Sequence, residues 1–205
     1  MDDIVKQAMA KWPNVPHCYG WLALDARGGW RMRDEGAQAA NAPGDRLANA
    51  TLVGFINRNY QHDEQGRWFF QNGPQRVFVN LASTPYIART DPKQGLVLQT
   101  GVALETIERL YLTEAGDAIV AAGAVIAQVD DRDVAQLFEG LELDGKPVGD
   151  DALLAWLGGD SGSKGGGTLT LRWRGATIPA ERIARDELPG RFGFVRTPAA
   201  APAAA

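Results

Sequence analysis

Residues 63–89 read DEQGRWFFQNGPQRVFVNLASTPYIAR, the densest run of aromatic and β-branched residues in the chain. The run dictates a turn, a strand, a second turn and a longer strand, in that order. Asp63-x-x-Gly66 is turn chemistry, because Asp bonds its own backbone and Gly accepts positive φ. Arg67-Trp68-Phe69-Phe70-Gln71 has the aromatic content of a short strand. Asn72-Gly73-Pro74 reverses the chain, since Asn and Gly tolerate left-handed dihedrals and Pro cannot extend a ladder. From Gln75 the residues alternate, Val77, Val79 and Leu81 against Arg76, Phe78 and Asn80. That period of two predicts a strand with one buried face. Pro85 ends it, and residues 86–89 resume in extended form.

The opening of this stretch has an echo. Asp25, Gly28 and Trp30 repeat the spacing of Asp63, Gly66 and Trp68, and Thr113, Gly116 and Ala118 make a degenerate third copy. The flanks match as well, apolar before and arginine with aromatics after, which predicts an internal repeat. Convergent hairpin chemistry is the alternative.

Around these hairpins the pattern predicts helices. One covers 2–12, capped by Asp2 or Asp3 and stopped by Pro13. Residues 18–24 and 29–33 read as strands, and 37–44 as a polar, Ala-rich loop. Asp45 or Asn49 opens a helix to about Tyr60, with an apolar stripe of Leu52, Val53, Phe55, Ile56 and Tyr60. Further strands are expected at 96–100, 110–112, 118–121 and 124–129. Asp130 or Asp131 should cap a helix through Phe138, a tight hairpin follows at 141–148, and Asp150 caps a helix over Leu153, Leu154 and Leu157. The stretch 158–167, GGDSGSKGGG, reads as a mobile loop, followed by strands at 168–173 and 176–179. No βαβ rhythm is visible. The expectation is a β-rich α+β protein of antiparallel hairpins and partial barrels with inserted helices. Its division is read as an N-terminal unit over 1–92, a C-terminal β-rich unit over 93–197 and a disordered Pro/Ala tail over 198–205.

A formal charge of −4 argues against bulk attraction to nucleic acid or to an acidic membrane surface. No apolar run approaches the ~20 residues of a membrane helix, and acids stand where a signal peptide carries basic residues. A single cysteine, Cys18, fits a reducing cytoplasm. A cytoplasmic protein without nucleic-acid or membrane partners is therefore expected, and no cofactor motif is present.

Chemistry is sparse. Gly159-Asp160-Ser161-Gly162 with His17 has a superficial likeness to a serine protease, but a serine in a floppy glycine loop has no preorganised oxyanion hole. The same loop lacks the Gly-Lys-Ser/Thr of a phosphate cradle. His17 and Cys18 are neighbours on a strand and should point to opposite faces. With His62 they would form a zinc site only if the fold gathered them, so no metal and no catalytic residue is assigned. Arg67-Trp68, Arg76-Phe78 and Arg172-Trp173-Arg174 interleave basic and aromatic residues as single-strand nucleic-acid binders do, but on a half-buried sheet the aromatics are core and the arginines meet solvent. Asp130-Asp131-Arg132-Asp133 reads as a helix cap.

The run VGFINRNYQHDEQGRWFFQNGPQRVFVNLASTPYIART resembles a group of uncharacterised proteobacterial proteins known as a domain of unknown function. More distantly it is similar to another bacterial family of unknown function. Members of that family show a helix, Asp-x-x-Gly-x-Trp/Tyr-Phe, a Val-rich strand and an Ala/Thr-Pro-aromatic break. The resemblance covers roughly residues 18–130 and rests on Gly66, Trp68, Phe69, Val77, Val79, Thr84 and Pro85. It implies two units of repeated β-rich motifs, in part pleckstrin-homology-like, and a signalling or ligand-binding role. Those residues are turn and core residues, so they transmit fold rather than chemistry.

The function expected is a non-enzymatic ligand- or protein-binding module with a regulatory role. Its recognition surface is placed at the 72–76 turn, where Trp68, Asn72, Gln75, Arg76 and Tyr86 combine polar and aromatic groups. A small anionic ligand or a partner's peptide would suit them. The alternatives are a hydrolase or thiol enzyme using Cys18 or His62, and a homo-oligomer joined through exposed aromatics.

Overall fold

The computed structural model of the chain describes residues 1–12, 15–159 and 167–200. Pro13, most of the glycine-rich stretch and the end of the Pro/Ala tail lie outside the described residues. The chain divides into two compact units, one of residues 1–85 with 193–205, the other of residues 86–192. It is the α+β fold expected, with hairpins and inserted helices in both units.

The first unit opens with α1 (Asp3–Lys11), β1 (Cys18–Leu24) and β2 (Trp30–Met32). It continues through α2 (Glu35–Ala39), β3 (Asp45–Arg46) and α3 (Ala50–Arg58) to β4 (Tyr60–His62), β5 (Trp68–Asn72) and β6 (Gln75–Leu81). One six-stranded sheet results, in the order β3-β2-β1-β6-β5-β4. Two antiparallel meanders meet at its centre, where β1 and β6 run parallel. Sequence gave no sign of that junction, because parallel pairing between distant strands leaves no local signal.

Burial on β6 departs from the one-faced strand expected. Phe78 and Val79, which face opposite ways, are both fully buried. β6 is a central strand, so each face has a cover. On one, Phe78 stacks on Tyr19 at 4.6 Å and meets Phe69 edge-on at 5.6 Å.

The 37–44 segment also differs from its loop reading. Asp34 accepts a hydrogen bond from Ala37 N at 2.7 Å and starts α2, which covers its first three residues. At α3 the cap is Asn49, whose side chain accepts from Leu52 N at 3.0 Å. Asp2 does not cap α1 through its side chain. Its N–H donates to Asn59 Oδ1 at 2.8 Å and its carboxylate meets Arg58 at 3.3 Å, tying α1 to the end of α3.

The repeated turns share one hydrogen-bond scheme. Gly28 N donates to Asp25 O, and the Asp25 side chain accepts from Gly29 N and Arg31 Nε. Gly66 N donates to Asp63 O, and the Asp63 side chain accepts from Arg67 N and Arg67 Nε. At the degenerate copy Gly116 N donates to Thr113 O, and the Thr113 hydroxyl accepts from Asp117 N. Gly66 has a second duty. A Cβ there would stand 1.9 Å from Gly193 O, and Val195 N donates to Gly66 O, so the returning segment from Gly193 is seated on this turn.

The second unit holds β7 (Tyr86–Asp91), β8 (Gly95–Leu98), β9 (Ala103–Leu104), β10 (Arg109–Leu112), β11 (Ala118–Ala122) and β12 (Val125–Val129). After these come α4 (Val134–Phe138), β13 (Leu141–Leu143), β14 (Lys146–Pro147), α5 (Asp150–Leu157), β15 (Leu169–Trp173), β16 (Ala176–Arg182) and α6 (Leu188–Phe192). Ten strands form one sheet, β14-β13-β15-β16-β10-β11-β12-β7-β8-β9, with parallel joints at β16–β10 and β12–β7. Leu96, Leu110, Leu112, Val120, Val129 and Leu171 make the centre of its aliphatic core.

The acidic run before α4 does not cap as expected. Asp130 is fully buried and pairs with Arg89 and Arg132, and Asp133 accepts from Thr90 N at 2.8 Å. A buried carboxylate needs such partners more than a helix of five residues needs a cap. Among the described residues no helix is long and apolar enough to cross a membrane.

Candidate ligand-binding site

α3 lies against the first unit's sheet but does not seal it. Leu52, Phe55 and Ile56 share one helix face by their spacing of three and four. Ile56 is buried, and Phe55 meets Phe70 edge-on at 5.4 Å. Between this helix face and the strands remains a cavity of about 320 Å³. Its sheet wall includes Leu22, Phe70 and Val77. Trp21, Met32 and Leu52 line it too, and they are 38%, 41% and 38% exposed, so the cavity opens to solvent through large apolar side chains. Among its lining residues Cys18, Asn72 and the indole of Trp21 carry polar side-chain groups.

An irregularity in β1 shapes this opening. Cys18 pairs with Val77 and Leu22 with Val79, so β1 uses more residues than β6 over the same span. The bulge turns at Gly20, with φ of 81°, where a Cβ would stand 2.5 Å from the Gln38 side chain. Breaking the alternation lets both Trp21 and Leu22 reach the cavity.

The residues singled out from sequence are placed as follows. Asn72 is exposed and lines the cavity. Gln75 sits opposite it in the hairpin and donates to Pro16 O at 3.0 Å. Arg76 lays its guanidinium over the Phe69 ring at 4.7 Å. Trp68 is 8% exposed, held between Tyr60 and His62 with ring separations of 4.8 Å, so it belongs to the interior. Tyr86 begins β7 in the second unit, where burial pushes its phenol upward. The hairpin thus gathers Asn72, Gln75 and Arg76. Trp21, Met32, Leu52 and Phe55 were not read as site residues. Their hydrophobicity was visible, but nothing local tells a lining residue from a core one.

The groups considered for catalysis are kept apart. Cys18 lines the cavity, while the His17 ring meets Phe78 edge-on at 5.7 Å. Burial raises the Cys18 thiol above its ordinary value, which leaves it protonated and weakly nucleophilic near neutral pH. Burial, then Arg76 and Arg67, lower His17 and keep its ring neutral. His62 Nδ1 donates to Asp63 O at 2.9 Å from the outer strand β4. Three strand spacings separate β4 from β1, about 14 Å. Among the described residues no group of three His, Cys, Asp or Glu is arranged to hold a metal ion. The second unit carries a polar cleft of about 470 Å³ in which Glu181 and Glu187 are balanced by Arg182 and Arg191.

Comparison with known proteins adds a family rather than an activity. A family whose description reads "Protein of unknown function (DUF2946)" matches residues 1–199. No curated protein matches the chain. Among solved structures, a DUF1285 family protein from Silicibacter pomeroyi DSS-3 aligns at 14% identity and a TM-score of 0.48, covering 85% of this chain and 86% of that one. A DUF1285 family protein from Shewanella baltica OS155 aligns at 12% identity and a TM-score of 0.37, covering 55% of this chain and 85% of its own.

Proposed function

The chain belongs to the DUF2944 family, described as a protein of unknown function (DUF2946), and we propose that this member is a ligand-binding module whose first unit takes a small, mostly apolar molecule carrying one polar group. The observation that carries the reading is the open cavity beneath α3. Its volume of about 320 Å³ falls within the range of small-molecule sites, which are apolar with a few placed polar groups. Asn72 offers both a donor and an acceptor to the ligand's polar end. A protonated Cys18 contributes soft apolar surface rather than a nucleophile. Binding without chemistry suits a regulatory role, in which occupancy is the signal. The common hydrogen-bond scheme at Asp25, Asp63 and Thr113 supports descent of the hairpins from a duplicated unit.

A thermal-shift series over amphipathic ligands, from short alcohols and amides to aromatic amides, tests the reading. A ligand that binds the native state raises Tm with its concentration. The shift should vanish in Leu52→Trp, which fills the cavity from the exposed end of α3. A shift of equal size in that variant places the ligand elsewhere, and a flat response over the whole series contradicts a small-molecule site.

A further inference from the structure

Arg33 follows β2 and continues its pairing, with Arg33 N donating to Trp21 O at 2.8 Å. Its side chain is the feature that calls for explanation, for the residue is only 8% exposed. Nε donates to Ala42 O at 3.0 Å, and Nη2 reaches Asn41 Oδ1 at a long 3.4 Å. Both acceptors are neutral. Among the described residues no carboxylate pairs with this guanidinium, and two contacts leave most of its five donors unused. An ionised group taken out of water without a counter-charge is among the costliest arrangements a fold tolerates.

The guanidinium lines a cavity of about 240 Å³. Arg31 and Asp25 share its wall but cancel, with Arg31 Nε 2.8 Å from Asp25 Oδ2. The other Asp25 oxygen is engaged by Arg27 N and Gly29 N at 3.0 and 2.7 Å. One net positive charge therefore remains, that of Arg33. Asn80 also lines the space, and its Oδ1 is buried without a partner. A half-turn of that amide presents its N–H₂ instead, and Thr197 adds a hydroxyl. Leu24, Leu81 and Pro43 complete the wall with hydrocarbon.

We infer that this cavity is a binding site for a small organic carboxylate. The carboxylate supplies the charge that Arg33 lacks and matches its planar fork, the amide of Asn80 adds a donor, and the hydrocarbon wall takes a short apolar body. This site is separate from the cavity under α3. Alternation along β2 puts Met32 on that cavity and Arg31 and Arg33 on this one.

Isothermal titration of the full chain with acetate, propionate and butyrate, with inorganic phosphate and chloride as comparison arms, tests the inference. The carboxylates should bind saturably, with affinity rising along the series, and Arg33→Gln should weaken binding at least tenfold. Asn80→Asp, which is nearly isosteric, places a fixed negative charge on the same wall. It should raise Tm while abolishing carboxylate binding, whereas a purely structural Arg33 would give no such paired effect. Absence of saturable binding by the wild-type chain overturns the inference, as does preference for phosphate over every carboxylate. Unchanged affinity in Asn80→Asp overturns it as well.

Discussion

The second unit fills its interior with aliphatic side chains from a ten-stranded sheet, and Leu110, Leu112, Val120 and Leu171 there are wholly enclosed. The first unit leans on rings instead. Trp30, Tyr60 and Trp68 pack in succession, as do Tyr19, Phe78 and Phe69. Beneath α3 the first unit also keeps an open, apolar cavity, lined by none of those six rings but by Leu22, Phe70 and Val77 of the sheet and by Leu52, Phe55 and Ile56 of the helix. The contrast is one of packing, an aliphatic sheet core in the second unit and an apolar cavity left open under α3 in the first.

The largest test of this contrast compares two leucines. Leu110→Ala in the closed core should cost about 2–5 kcal/mol in denaturant unfolding, the usual range for an enclosed leucine. Leu52→Ala, at a partly exposed position on the cavity, should cost less than about 1 kcal/mol. Equal losses would mean that the first unit is as tightly packed as the second.

A second comparison uses the turn that both units share. Gly66 and Gly116 have φ of 71° and 83°, so alanine strains either one by roughly 1 kcal/mol. Nothing stands within 4 Å of a Cβ at Gly116, while at Gly66 it would meet Gly193 O. Gly66→Ala should therefore lose about 1–3 kcal/mol beyond Gly116→Ala in thermal unfolding. Matching losses would show that the returning segment is not seated on the Gly66 turn.

A smaller effect concerns acid. Burial opposes the charge on Asp25, yet the Gly29 N–H, Arg31 and the Arg27 N–H outweigh it and hold its carboxyl below the ordinary value. Burial likewise opposes Asp63, and Arg67 and the Gln65 N–H outweigh it. A lowered folded pKa contributes stability that is complete above the unfolded value near 4 and is lost as pH falls through the folded one. Stability should fall slightly as pH drops through about 6.5, where the unfolded chain protonates His17 and the fold resists it, and decline more steeply below about 4 as the aspartates protonate. Asp25→Asn and Asp63→Asn should each flatten that acid limb in unfolding curves recorded against pH. An unchanged limb in both variants would deny these turns their electrostatic part.

Much of this architecture was legible because its causes are local. Turn residues at Asp25, Asp63 and Asn72 placed the hairpins, alternation drew β6 from Gln75 to Leu81, and the Asn49 cap with its apolar stripe located α3. What escaped depends on distant partners. The parallel pairing of β1 with β6 joins residues far apart in sequence, and it buries Phe78 on the face read as solvent-facing. Asp130 has the sequence context of a cap, but its carboxylate is bound by Arg89 of β7 and by Arg132 instead. The candidate site was legible only at Asn72. Trp68 has the composition of a recognition residue but sits inside, and Trp21 is open to the cavity only through the bulge around Gly20.

Alkylation of Cys18 in native buffer probes the cavity most directly. It is the chain's one cysteine, and it lines the cavity, so any modification reports on that site alone. Burial raises its pKa, so labelling should be slow at neutral pH and quicken as pH rises. A ligand that raises Tm should slow the reaction further, with the same concentration dependence as the thermal shift. A stabilising ligand that leaves the labelling rate untouched would contradict the cavity under α3 as its binding site.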